Sequence, residues 1–210
     1  MRAPRQPGGW PKRIVDVAVS GGLLAITAPI QIVVAAAIRL SMGRPVLFRQ
    51  TRPGLGARPF RIVKFRTMAE GSAPDADRLT PVGRLVRSTS LDELPQLWCV
   101  LKGDMSLVGP RPLLTAYVPR YDTRQARRHE VRPGITGLAQ VSGRNSLSWP
   151  ERLELDVQYV ERVGVRTDLQ ILLKTLSTVV RRKGLSADGH VTMPEFRGDE
   201  SPGQFSPDCP

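Results

Sequence analysis

Two adjacent carboxylates, Asp92 and Glu93, stand between Arg87 and Arg111, and together these four residues could manage phosphate chemistry. Ser90 is a good N-cap, Glu93 follows three residues later as in a capping box, and Lys102-Gly103 is a good stop. The spacing therefore predicts one short helix from Ser90 to Lys102, with the acidic pair in its first turn. The unpartnered N–H groups of such a turn hold a carboxylate ionised and can also receive a phosphate. The same Ser-x-x-Glu pattern also serves simply to start a helix, with Asp92 offsetting the dipole. Arg111, held between Pro110 and Pro112, suits a fixed bidentate oxyanion contact, although an ordinary turn has the same pattern.

Elements must position that pair. From Pro45 to Met68, apolar and basic residues alternate, and Arg52-Pro-Gly-Leu-Gly56 supplies a turn, which predicts a β-hairpin with one basic face. Its arginines and lysine (Arg49, Arg52, Arg58, Arg61, Lys64, Arg66) are expected mostly to be solvated or to face anionic lipid. Ala69 to Arg78 reads as a polar loop in which Asp75 and Asp77 are solvated. Thr80-Pro81 then caps a short helix over Val82 to Arg87 that brings Arg87 toward the acidic pair.

Several blocks now carry a resemblance. Ser90-Leu-Asp-Glu-Leu-Pro-Gln-Leu97 and Leu101-Lys-Gly-Asp-Met-Ser-Leu-Val-Gly-Pro-Arg-Pro112 resemble the core signature of the bacterial sugar transferases, the monotopic phosphoglycosyl transferases. Pro45-Val-Leu-Phe-Arg-Gln50, Lys64-Phe-Arg-Thr-Met68 and Arg132-Pro-Gly-Ile-Thr-Gly-Leu-Ala-Gln-Val141 match in the same order. The likeness runs from about Lys12 to Lys183. Cys99 and Ser142 depart from it at positions where the family commonly has Asn.

The resemblance implies transfer of a phosphosugar from a nucleotide (UDP) diphosphate sugar to polyprenol (undecaprenyl) phosphate, at the start of surface glycan assembly. It implies that Asp92 is the nucleophile, forming a covalent aspartyl-phosphosugar, and that Mg²⁺ bridges Asp92 and the diphosphate. Glu93 is then a catalytic partner that closes the capping box, helps with the metal or manages a proton. Arg87 and Arg111 are assigned to phosphate, as are Lys64 and Arg66 from their matched block, and the Arg132–Val141 loop becomes a wall of the nucleotide site. The implied location is the cytoplasmic face of the bacterial inner membrane. Two rivals stay open: a metal-dependent membrane phosphohydrolase acting on nucleotide sugars, and a non-enzymatic binding protein.

Composition sets outer bounds. The 210 residues allow one compact domain plus tails, and 31 Lys+Arg against 19 Asp+Glu give a net charge of +12. That balance calls for an anionic partner: nucleic acid, a phosphorylated substrate or anionic lipid. The cluster Arg120, Arg124, Arg127, Arg128 and His129 lacks aromatic interleaving and any nucleic-acid motif, so it is assigned to lipid headgroups, with His129 solvated. Two cysteines make no disulfide framework and fit a reducing compartment. A homo-oligomer is compatible with the sequence.

The first long segment selects the membrane. Val17 to Ile38 is a nearly unbroken apolar run of 22 residues, about 33 Å as a straight helix and long enough to span a bilayer core. Pro29 sits mid-run, and basic residues flank both ends (Lys12 and Arg13, then Arg39 and Arg44), which a single crossing cannot satisfy under the positive-inside rule. A helix broken near Ala28-Pro29 that dips in and returns satisfies both, with Thr27 capping a freed backbone group. Simple spanning, a buried soluble helix and a signal sequence are the alternatives. The resemblance implies re-entry. Asp16 is expected to pair locally with Lys12 or Arg13.

Two helices close the chain, one from Ser148 to about Arg162 and one from Thr167-Asp168 to Lys183, the latter apolar enough to be buried or to lie in the interface. Asp156, Tyr159 and Glu161 are expected on the polar side of the first. The fold expected is α+β and mainly helical: a flexible N-terminus (1–11), a re-entrant membrane helix (12–40), a membrane-associated catalytic domain with a short β-hairpin (41–184) and a disordered tail (185–210).

Overall fold

The computed structural model describes residues 9–143, 146–180 and 195–198. It is mostly helical, and its longest element is α1 (Gly9–Met42), 34 residues with Pro29 inside. The expected interruption at Ala28-Pro29 is absent, because the helix runs through both residues. One missing N–H bends a helix more readily than it ends one. Nor does Thr27 cap a group freed there: its hydroxyl donates to the Leu23 carbonyl at 2.6 Å and accepts from Gln31 at 3.0 Å.

The two faces of α1 invert the soluble pattern. Lys12, Asp16, Ser20, Leu24, Thr27, Gln31, Val34 and Ile38 recur every three or four residues and form the covered stripe, which is polar over most of its length. The opposite face is apolar and exposed, including Ile26, Ile32 and Val33, each at least two-thirds accessible. Both ends of the helix dock on the same domain. At its start Arg13 donates to the carbonyls of Val100 and Leu101, and at its end Val34 and Ile38 pack with Phe65 and Val86.

Asp16 departs from the expected local pairing. Its Oδ1 accepts from the Ser106 hydroxyl and the Leu107 amide, both at 3.0 Å. Lys12 reaches the Val108 carbonyl and ion-pairs with Asp168 across 156 positions of sequence. Long-range tertiary contacts win here because these side chains are buried and a buried charge needs partners.

Strands β1 (Leu47–Pro53) and β2 (Pro59–Phe65) form the expected antiparallel hairpin, with Phe48 opposite Lys64 and Thr51 opposite Arg61. The four-residue α2 (Asp75–Arg78) interrupts the following loop. Thr80 caps α3 (Pro81–Ser88) by accepting from the Gly83 amide, as expected. A Cβ at Gly83 would stand 1.8 Å from the Thr67 carbonyl oxygen, so only glycine lets α3 press on the Lys64–Met68 block.

The predicted Ser90–Lys102 helix is corrected. Leu91–Glu93 is a 3-10 turn, and the α-helix, α4, covers only Gln96–Lys102 after Pro95. Ser90 lies in the left-handed region with φ 58° and makes no capping hydrogen bond. Proline tolerates the first turn of a helix but not its interior, so the element begins at Pro95.

A parallel pair unexpected from the sequence follows: β3 (Ser106–Val108) beside β4 (Gly134–Thr136), with Ser106 opposite Gly134. A Cβ at Gly134 would meet the Gly109 amide nitrogen at 2.1 Å, so this approach requires glycine. Between the two strands lies α5 (Thr123–Ala126), and beyond β4 come α6 (Leu138–Ser142), α7 (Trp149–Glu161) and α8 (Val165–Val180). Ser148 and Glu151 form a complete capping box on α7. α8 starts at Val165, two residues before the expected Thr167.

The main core joins Ile62, Leu97, Val100, Met105, Leu107, Val131, Tyr159 and Ile171. A second cluster packs Tyr117, Trp149 and Leu153 around Phe196. Phe196 lies within the span expected as a disordered tail; what is expected of residues 1–8, 181–194 and 199–210 lies outside the described residues. Asp156 and Tyr159 leave the expected polar side of α7. Both are buried, and the Tyr159 hydroxyl donates to Asp168 at 2.7 Å and lies 2.9 Å from the Val108 carbonyl.

Candidate active site

A single cavity of about 1330 Å³ gathers Asp92, Glu93, Lys64, Arg66, Arg87 and Arg111 into one lining. The 3-10 turn over Leu91–Glu93, forced short by Pro95, points the two adjacent carboxylates into unlike surroundings.

Glu93 is locked. Its Oε1 accepts from Lys64 at 2.9 Å and from Arg111 at 2.6 Å, so β2 and the segment after β3 are tied to the turn through one oxygen. Burial works against its charge, yet Arg111 and Lys64 hold the carboxyl well below the usual carboxylate range. Burial pulls the Lys64 ammonium down, and Arg111 adds to this, with Glu93 opposing both. Proximity to Glu93 raises the Arg111 guanidinium further.

Asp92 is free to react. It is buried at 8% exposure and makes no side-chain hydrogen bond or ion pair among the described residues. Burial, followed by the neighbouring Glu93 charge, pushes its carboxyl up to about 6, against the pull of Lys64, Arg111 and Arg87. A carboxylate of raised basicity, ionised at neutral pH and ringed by cations, is suited to attack at an anionic electrophile.

The predicted phosphate ligands divide. Arg87 lines the cavity from the last turn of α3, and its guanidinium has no hydrogen-bond partner among the described residues. Arg111 faces Glu93 and the cavity. Arg66 is buried and engaged: it donates to the carbonyls of Met42 at 2.6 Å and Gly43 at 3.0 Å and pairs with Glu70, joining the end of β2 to the end of α1.

Sequence reasoning missed the support beneath Arg111. Arg128, expected at lipid headgroups, is buried; it donates to Asp156 Oδ2 at 2.7 and 3.1 Å, to the Arg111 carbonyl at 2.7 Å and to the Tyr121 hydroxyl at 3.0 Å. The only signal available was an aspartate in α7 on an otherwise apolar face. His129 is partly buried rather than solvated, and burial, reinforced by Arg128, lowers its imidazole to about 4. Gln140, from the glycine-rich block, also lines the cavity, and neither end of its amide has a hydrogen-bond partner among the described residues. Asp77 is not among the residues that line the cavity. No group of three His, Cys, Asp or Glu side chains placed to hold a metal occurs among the described residues.

Cys99 and Ser142, the two departures, fall in different settings. Cys99 is buried in α4 within 3.8 Å of the Arg61 carbonyl, outside the cavity lining, whereas Ser142 is exposed at the end of α6.

Comparison with known proteins identifies the family. The profile of the bacterial sugar transferases matches residues 8–182. The chain is 50% identical over 193 residues to an uncharacterized sugar transferase, EpsL, of Bacillus subtilis, covering 89% of this chain and 96% of that protein. It is 44% identical to the UDP-glucose:undecaprenyl-phosphate glucose-1-phosphate transferase of Caulobacter vibrioides, over 84% of this chain and 72% of that protein. A 38% identity links it to the UDP-N-acetylgalactosamine-undecaprenyl-phosphate N-acetylgalactosaminephosphotransferase of Aeromonas hydrophila, over 80% of this chain and 43% of that protein. A cationic cavity built around one unpaired carboxylate, together with a profile match that includes every residue of that cavity, places the chain in the bacterial sugar transferase family.

Proposed function

We propose that the protein transfers a phosphosugar from a UDP-sugar to undecaprenyl phosphate, giving polyprenyl-diphosphate-sugar and UMP, as a membrane step that opens surface polysaccharide assembly. The observation that carries this reading is the contrast within one dipeptide: Glu93 is locked by Lys64 and Arg111, while Asp92, one residue away, is buried, unpaired and raised to about 6.

The donor's diphosphate lies among Arg87, Arg111 and Lys64, which neutralise its charge and fix its orientation. An Asp92 carboxylate oxygen attacks the phosphorus that bears the sugar. The acyl oxygen–phosphorus bond forms, the diphosphate bond breaks, and UMP leaves with the electron pair. A phosphate oxygen of the polyprenol phosphate then attacks the same phosphorus, the new diphosphate bond forms, and Asp92 is released as carboxylate. Glu93 holds Lys64 and Arg111 in register through its Oε1, and the scheme needs no proton from it.

A divalent cation fits the donor set in one way only. A lone free carboxylate suits Mg²⁺ that arrives with substrate phosphates and keeps several waters, not a resident ion in an all-protein cage. Asp92 is the residue that would hold it, and the charge it supplies would offset that of the diphosphate.

The inverted α1 supports residence at the cytoplasmic face of the inner membrane. Its apolar face meets lipid and its polar stripe meets protein, while docking of both its ends on one domain favours a helix held at one leaflet over one that crosses. The excess of basic residues faces anionic lipid.

The test is product analysis with a panel of UDP-sugars. Purified protein in nanodiscs should release UMP in a burst without acceptor, retain the sugar phosphate on Asp92, and turn over only with polyprenol phosphate. Continuous release of free sugar phosphate without acceptor would identify a phosphohydrolase instead.

A further inference from the structure

The cavity is larger than the roughly 300–1,000 Å³ usual for one small-molecule site, at about 1330 Å³. Its walls also differ by element. Arg49, Arg52, Lys64, Arg66, Arg87 and Arg111 come from the hairpin, α3 and the segment after β3. A second, apolar arm of the lining comprises Leu23 of α1, Leu94 just before α4, Leu97 within it, Ile135 of β4 and Leu172 of α8, all but Leu23 members of one apolar cluster. The polar groups in that arm include Thr136 and Thr175, whose hydroxyls pair at 2.7 Å while Thr175 also donates to the Ile171 carbonyl. With those bonds made, the two threonines offer the space chiefly their methyl groups.

The arm also borders exposed apolar surface. Leu23 is 40% accessible, and Ile26 and Ile30 continue its exposed face along α1. On α8, Leu169, Leu173 and Leu176 are each more than half accessible on either side of Leu172. Leu24 and Leu172 pack against the same buried cluster, so α1 and α8 flank one opening.

Resting on the reaction proposed above, we propose that this arm, between α1 and α8, seats the isoprenoid chain of the polyprenol phosphate acceptor and leads its phosphate to Asp92. The basic arm takes the water-soluble donor. The acceptor is the one substrate with a long apolar chain, the arm is continuous with the cavity holding Asp92, and its rim joins the lipid-facing side of α1. Two substrates then reach one carboxylate from different phases, and each half-reaction has its own entrance.

Thr175→Trp narrows the arm from α8, and Leu23→Arg places a charge at its rim; neither touches the basic lining. For both variants the acceptor KM should rise by about tenfold or more, while the acceptor-free burst of UMP stays within about twofold of the parent. An unchanged acceptor KM, or equal loss of both half-reactions, overturns the arm. A polyprenyl phosphate carrying a diazirine on its chain, added in phosphatidylglycerol-containing vesicles, supplies a readout independent of catalysis. Cross-links should map to peptides around Leu23 and Leu172 and fall in Thr175→Trp, and labelling confined to the hairpin overturns the assignment. Should the parent protein give no burst yet cross-link at the arm, the covalent reaction fails and the acceptor site stands.

Discussion

Arg128 donates a 2.7 Å hydrogen bond to the backbone carbonyl of Arg111, whose own guanidinium lies 2.6 Å from Glu93. A nearly fully buried arginine thus sets the position of a half-exposed one. Arg128 is itself held by Asp156, and both are 2% exposed.

That relationship separates stability from positioning. Arg128→Ala leaves Asp156 charged and unpaired in the interior and should destabilise by about 3–5 kcal/mol. Arg128→Lys keeps the charge but loses the planar fork, so it should fold at a modestly lower Tm while kcat for the UMP burst falls with little change in donor KM. Thermal unfolding and burst kinetics check both, and a lower Tm with an unchanged kcat in the lysine variant would assign Arg128 a structural role alone.

Asp92→Asn should abolish the burst and the covalent adduct and yet raise stability. The folded carboxyl is raised to about 6 from 3.8. Its stabilising contribution is therefore present below about pH 4 and lost as pH rises through about 6, so at pH 8 the charged form is a burden. Removing that charge should gain up to roughly 3 kcal/mol at pH 8 and little at pH 4, measured by denaturant midpoint. Glu93→Gln should do the reverse, because its carboxyl is depressed by Arg111 and Lys64 and its stabilisation is present at neutral pH.

The burst rate should follow the ionisation of Asp92. With the nucleophile protonated below about 6, the rate should fall about tenfold per pH unit on the acid side and level off above neutrality. A flat profile between pH 5 and 8 in single-turnover measurements would contradict Asp92 as the attacking group.

Gln140 carries a buried amide with no partner at either end among the described residues. Gln140→Leu should stabilise the fold by about 1 kcal/mol by removing that unmet demand. If the amide contacts donor, KM for the UDP-sugar rises in the same variant. A lower Tm would mean that the amide is already satisfied in solution.

Both ends of α1 should be reachable from one side of the membrane. In a Cys209→Ser background, Trp10→Cys and Leu40→Cys should react equally with an impermeant maleimide added to inside-out vesicles, and neither should react in intact cells. Labelling of one end from each side would show a crossing helix.

Much of this was legible locally. The hairpin followed from alternation of apolar and basic residues around Arg52–Gly56, the α3 cap from Thr80-Pro81, and the α7 cap from Ser148 with Glu151, because each depends on residues within a few positions. The acidic pair, Arg111 and Lys64 stand in the matched blocks, and Arg87 stands just before Ser90. The start of α4 follows Pro95 and not the capping pattern at Ser90, and Pro29 removes one hydrogen bond without ending α1.

The sequence by itself determined the residues able to do phosphate chemistry, the apolar length of α1 and the short-range elements, since propensity, capping and periodicity are local. Only the tertiary structure decided that Asp92 is unpaired while Glu93 is locked, that Arg128 and Asp156 are interior, and that Lys12 and Asp16 anchor α1 to the domain. Those outcomes depend on burial and on partners up to 156 residues away. The energy of a charge is set by the medium and the neighbours that folding brings to it.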